Sequence, residues 1–315
     1  MASASPADAR ESVPACAVSC HSCKAQEYDA EEKNASDAPS GTRATEPAHP
    51  TVEPHVCDFW KELSRDIVER QAWRVEAFDE TSARQLDTYA NDVRHYPIEE
   101  ERIRMKQRRE AALTFRSNPQ RWSRLVMDAL RELSVDTSGP ATATLAHSGL
   151  LGAFRDFATH IHYFQVTRRV MESAGVRFSV NANSSSSIHD VDKLDPVVLT
   201  GYSERWEDVR DTALWRACFE AHCETNTHHQ QNELWHSEDG ERKEQECSKA
   251  LAEMVCDKAS RKLQKELKGV VSPEMWLVEP QFYLGMPDEW FDRATKMAKT
   301  LAEATPTSGM RGLVT

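Results

Sequence analysis

His189 and Asp190 are adjacent, and Lys193 follows at the fourth position after His189, in the string HDVDK. An imidazole and a carboxylate at successive positions can hold one cation, and the carboxylate has a second oxygen with which to bridge to another. If the pair opens a helix, Lys193 stands about one turn away. The other residues that suit such chemistry are histidines and an aspartate on neighbouring segments. On the stretch 150–174, taken at about 100° per residue, Leu151, Phe154, Ala158, Ile161, Gln165 and Val166 cluster in one direction. His162 falls in that stripe and His160 points away, so His162 is the expected ligand. In the next histidine-bearing segment Trp206, Val209, Leu214, Trp215, Cys218, Phe219 and Ala221 imply a helix buried on most sides, with His222 among them. His229, seven residues later, shares its face if the helix continues through Thr225-Asn226-Thr227; the choice between His228 and His229 stays open. Asp257 lies at the edge of an apolar stripe of Cys247, Ala250, Leu251 and Met254. A carboxylate entering a core needs a cation or good hydrogen bonds.

The elements that must position these residues are helical. Strictly alternating apolar segments are few and short, and helical periodicity runs through 150–174, 206–224, 244–267 and 288–303, so the fold class is all-α. Residues 58–135 are charged and helix-favouring, interrupted by Pro97, Asn118-Pro119 and Ser138-Gly139-Pro140. Acids precede bases along 99–116, which suits the helix dipole; its arginines are expected on a solvated face. The stretch NANSSSS (181–187) is expected to be a flexible loop just before His189. The domain reading is a disordered tail at 1–52, a helical extension at 53–140, a metal-binding domain at 141–308 and a disordered end at 309–315. The tail's Cys16, Cys20, His21 and Cys23 lack the paired spacing of a zinc module.

Composition excludes some function classes. The net charge is -12, with Lys and Arg outnumbered 39 to 51 by Asp and Glu, which argues against duplex nucleic acid as a partner. No apolar run reaches the roughly 18 residues of a membrane span. The first residues lack the basic and apolar blocks of a signal peptide, and the eight cysteines are scattered, so a cytoplasmic or nuclear location with reduced thiols is expected.

The ordered set His162, His189-Asp190, His222, His229, Asp257 resembles the HD-domain superfamily of helical metal-dependent phosphohydrolases. Its elements appear as HYFQV (162–166), HDVDK (189–193) and EMVCD (253–257). More narrowly, HDVDKLDPVVLTGY, HCETNTHHQQNELW and EMVCDKAS look like an uncharacterised family with HDxSK, HxxxNxHHxxYW and EMxCDW-like motifs, over about 150–305. The chain departs from that pattern at Asp192, Leu234 and Lys258, where the family carries Ser, Tyr and Trp.

The resemblance implies an HD-like helical bundle that holds one or two divalent ions (Mn, Fe, Co, Mg or Zn). His162, His189, Asp190 and Asp257 would hold one. His222 and His228 or His229 would serve a second, bridged by Asp190. Lys193 would stabilise phosphoryl charge or assist proton transfer, on a nucleotide or other small phosphorylated substrate. Two other readings accompany it: a di-iron oxygenase, since the superfamily includes such members, and a non-enzymatic helical interaction protein with a structural metal.

Overall fold

Proline and side-chain caps set where several helices begin. Pro119, Pro140 and Pro196 each open a helix in its first turn, where a missing N–H costs nothing. Asn118, Asp195 and Thr212 cap their helices by accepting from Arg121, Val197 and Trp215 backbone N–H groups. The computed structural model describes residues 54–78, 98–180, 186–208, 211–237, 240–283 and 285–305. All of them lie in one unit, Thr51–Thr315. The tail with its cysteines, most of the NANSSSS loop and the last residues lie outside the described part.

Among the described residues the regular structure is wholly helical, without strands. The nine α-helices among the described residues are α1 (Pro54–Ser64), α2 (Glu99–Arg116), α3 (Pro119–Ser134), α4 (Pro140–His147), α5 (Leu151–Ser173), α6 (Pro196–Trp206), α7 (Ala213–Thr225), α8 (Gly240–Lys265) and α9 (Asp288–Ala304). Short 3-10 turns join some of them, and a π turn, Arg65–Glu69, follows α1. No described helix is long and apolar enough to cross a membrane.

The central pair is α5 against α8. One core lies between them, where Phe164, Val170 and Met171 meet Ala250, Met254, Cys256, Ala259 and Trp276. A second core covers another side of α5, where Phe154, Phe157 and Ile161 pack with Trp122, Val126 and Leu145 and with Ile67 and Trp73 from the N-terminal part. Helix α5 is therefore buried on more than one side. Helix α6 lies on α7 so closely that a Cβ at Gly201 would stand 2.8 Å from Cys218 Sγ.

Helix α2 differs from the solvated helix the sequence suggests. Arg108, Arg109 and Arg116 are buried. Arg109 forms a bidentate pair with Glu204 at 2.7 and 2.9 Å, Arg108 donates to Asp208 at 2.7 Å, and Arg116 donates to Asp195. Composition cannot distinguish an arginine facing water from one facing a carboxylate on a helix about 100 residues away in sequence. Trp206 departs in the opposite sense: it ends α6 and is 55% exposed.

Candidate metal centre

The segment that carries His189 and Asp190 is held from the N-terminal side. Asp66, wholly buried, accepts from Ser186 Oγ, Ser187 N and Ser187 Oγ. Trp122 donates to the Leu194 carbonyl at 2.9 Å, and Asp195 accepts from Val75 N at 3.0 Å. Between these anchors the chain turns sharply. Asp190 has φ 56° and ψ 27°, the left-handed conformation that Asp tolerates better than most residues, and the 3-10 turn Val191–Leu194 follows. The helix opens only at Pro196, so the HD pair sits in a turn before a helix rather than at its start.

Besides the trio His189, His228 and Glu253, that turn brings together two groups of ligand-type atoms, each within 4.8 Å: His160, His189, Asp190 and Asp257, and Asp190, His222, His228 and His229. Asp190 belongs to both. Its Oδ2 lies 3.3 Å from His189 Nε2 and 3.9 Å from His160 Nε2, while its Oδ1 lies 3.3 Å from His228 Nε2 and 3.6 Å from His222 Nε2. Asp257 Oδ1 closes the first group at 3.1 Å from His160 and 3.5 Å from His189. His229 Nε2 closes the second at 2.8 Å from His222 Nε2.

These residues fit a divalent cation in each group. Two ligands on one ion with bonds near 2.0–2.1 Å stand about 2.9–3.4 Å apart in octahedral or tetrahedral arrangements, and several of the separations fall there. Moreover His160 Nε2, His189 Nε2, His228 Nε2 and Asp190 Oδ1 are buried without a hydrogen-bond partner despite these short approaches. Atoms that crowd without bonding each other are aimed at a common third point. Orphaned buried polar atoms are otherwise rare and costly.

Behind the ligands stand two carboxylates. Glu253 Oε1 lies 2.8 Å from His189 Nδ1 and 3.3 Å from His228 Nδ1; Asp192 Oδ2 lies 2.6 Å from His222 Nδ1. Asn226 donates to Asp192 Oδ1 at 3.0 Å and to the His222 carbonyl. With Nδ1 of His189 and of His222 engaged, Nε2 of each is left for a cation, the usual role of a carboxylate behind a metal-bound histidine. Phe164 stacks flat on His189, with ring centroids 3.9 Å apart.

Electrostatics follows from burial and these pairings. Burial, with the Arg261 charge, lowers the pKa of His160 to about 3, so the ring is neutral at neutral pH and one of its nitrogens offers a lone pair. Burial, then the charges of His228 and His222, holds His229 well below its usual value. Burial also disfavours a charge on His228, yet Glu253 and Asp190 outweigh it and push the pKa up to about 10. Burial opposes ionisation of Asp190, but His189 and Lys193 hold it well below the usual carboxylate range; Lys258 and His160 do the same for Asp257. Glu253, similarly opposed by burial, is held at about 2 by His228 and His189. Buried carboxylates at this density call for cationic charge.

The structure thus brings together His189, Asp190, His222, His228, His229 and Asp257. It does not bring His162, which is exposed on α5; His160, wholly buried, stands in the cluster instead. A helix phase set by one stripe selects His162, but α5 has two stripes. The second, Phe157, His160, Phe164, Thr167 and Met171, recurs every three or four residues and was available in the sequence. Helix α7 ends at Thr225, and the turn after Asn226 lets His228 and His229 both enter. Nothing in the spacing of Glu253 or Asn226 marks them in the sequence, and Asp192 stands out there only as a departure from the family pattern. Lys193 Nζ bonds Asp190 Oδ2 at 2.6 Å and Lys258 Nζ bonds Asp257 Oδ2 at 2.7 Å, so an ammonium stands on an oxygen of each carboxylate. No family model matches the chain, and neither a curated protein nor a solved structure matches it.

Proposed function

We propose that the chain is a metal-dependent phosphohydrolase of the HD-domain kind, acting on a nucleotide or another small phosphorylated molecule. The observation that carries this reading is Asp190 shared between two histidine-carboxylate groups, with Lys193 on Asp190 Oδ2 and Lys258 on the outer oxygen of Asp257. His160, His189, Asp190 and Asp257 would hold one ion, and Asp190, His222, His228 and His229 the other. Bound divalent ions (Mn, Fe, Co, Mg or Zn) supply Lewis acidity and a water deprotonated near neutral pH. Glu253 and Asp192 keep the imidazoles oriented with Nε2 inward. Lys193 and Lys258 are partly exposed, at 12% and 16%, and long enough to turn from a carboxylate to a phosphoryl oxygen. In that role they favour the charge that accumulates on those oxygens as the bond to the leaving group breaks.

The test is metal analysis of the purified full-length chain followed by phosphate release from a panel of nucleotides and sugar phosphates. Metal and phosphate release should both be lost in His189→Ala and in Asp190→Ala. Metal retained by both variants overturns the site. Oxygen uptake with iron and none with magnesium replaces the reading with the oxygenase. A metal-free protein whose melting temperature ignores chelator replaces it with the interaction protein.

A further inference from the structure

The C-terminal half of α8 carries a line of cations away from the metal centre. Lys258, Arg261 and Lys265 are three and four residues apart, so they share one face, about 5 Å per turn further from Asp257. Long helix side chains lean toward the helix N-terminus, which returns the Lys265 ammonium toward Arg261 and the centre. Burial, then the like charge of Arg261, lower the Lys265 pKa; Asp156 opposes them and Lys193 adds a smaller lowering. Such crowding of like charge is notable on a chain of net charge -12.

The pairing along this line is unequal. Lys193 bonds Asp190, Lys258 bonds Asp257, and Arg261 bonds Asp156 at 2.8 Å. Lys265 has no carboxylate within ion-pairing distance among the described residues; its ammonium lies 5.9 Å from the centroid of the exposed Trp206 ring, and Asp156 acts on it only from farther away. The carboxylates of Asp190 and Asp257 are moreover those assigned to the metal ions. Committed to cations, they leave Lys193 and Lys258 short of counter-charge as well. An anion beyond the scissile phosphate would meet three ammonium groups and one guanidinium.

We propose that Lys258, Arg261 and Lys265, with Lys193, form a second anion subsite. The substrate class is then a compound with at least two phosphate groups, the second lying about one helical turn along α8 from the first. The proposal rests on the phosphohydrolase reading of the neighbouring centre. Lys265 is the specificity-determining residue, because it touches no metal ligand and has no structural ion pair.

The experiment titrates inorganic triphosphate and inorganic orthophosphate calorimetrically into the metal-loaded full chain, as wild type, Lys265→Ala and Lys265→Arg. Triphosphate should bind the wild type about 10-fold tighter than orthophosphate, the worth of one charge-assisted contact. Lys265→Ala should remove most of that gap with orthophosphate affinity and metal content unchanged, and Lys265→Arg should keep it. Triphosphate affinity unchanged in Lys265→Ala, or both anions weakened equally, overturns the subsite while leaving the phosphohydrolase reading in place. A wild-type chain that takes up metal but binds neither anion overturns both.

Discussion

Because each oxygen of Asp190 faces a different ligand group, substitutions should remove the two ions independently or together according to position. His160 belongs to one group only and His229 to the other. Four-ligand protein sites bind zinc with about 10–16 kcal/mol, so one ligand of four is worth about 3 kcal/mol, or about 100-fold in affinity. His160→Ala should lose one ion and retain the other, and His229→Ala should do the reverse. Asp190→Asn should weaken both, since its Oδ1 and Oδ2 each lie 3.3 Å from a histidine of a different group. His162→Ala, on an exposed side chain, should change nothing. The assay is elemental analysis after dialysis against a metal buffer, with the stoichiometry of the double variant His160→Ala/His229→Ala as a control. Metal lost from His162→Ala but kept by His160→Ala would refute the assignment on α5. The same single ion lost from both His160→Ala and His229→Ala would refute the division into two groups.

Two further outcomes concern the scaffold. Arg109→Leu strands the Glu204 carboxylate, whose pair with Arg109 is almost fully buried; unfolding by denaturant should show a loss of about 3–5 kcal/mol, and Arg109→Met/Glu204→Met should recover most of it. Glu132 caps α4 from a distance, accepting from Gly139, Ala141 and Thr142 backbone N–H groups; what burial it has opposes ionisation, but the Thr142 and Ala141 donors lower its pKa. Its contribution is therefore complete above the unfolded value near 4.3 and disappears as pH falls through the lower folded value. Glu132→Gln should cost about 1 kcal/mol at neutral pH, as loss of a cap does, with melting curves of variant and wild type converging in acid.

Much of the fold was legible because its signals are local. Asn118-Pro119 and Ser138-Gly139-Pro140 mark real helix starts, and the acid-to-base run at 99–116 matches α2 end to end. Of the residues the structure clusters, His189-Asp190, His222, the His228-His229 pair and Asp257 are legible in the sequence, as adjacent polar pairs or as polar residues set in apolar stretches. What failed depends on which neighbour a helix face meets. His162 was preferred because one apolar stripe of α5 was counted, whereas a helix with a core on two sides has two such stripes. The arginines of α2 were read as solvated because their carboxylate partners, Glu204, Asp208 and Asp195, lie far along the chain. Glu253 is inconspicuous in the sequence, because a glutamate among apolar residues acquires meaning only from the two imidazole Nδ1 atoms beside it in space.

The histidines come from α5, α7 and the turns near 189 and 228, and nothing in those elements alone fixes the left-handed turn at Asp190. That turn is fixed from the other end of the unit. Asp66 grips Ser186 and Ser187 before it, while Trp122 and Arg116 hold Leu194 and Asp195 after it. Both anchors are buried polar contacts, which are exact in geometry and costly to leave half made. The N-terminal helices therefore bear on the candidate site by fixing two ends of the ten-residue span 186–195, within which both Asp190 oxygens face histidines. A residue so constrained can serve two ions without reorganising when they bind. Preorganisation of this kind is what a shared carboxylate needs, and it explains why helices that supply no ligand are packed into the same core as those that do.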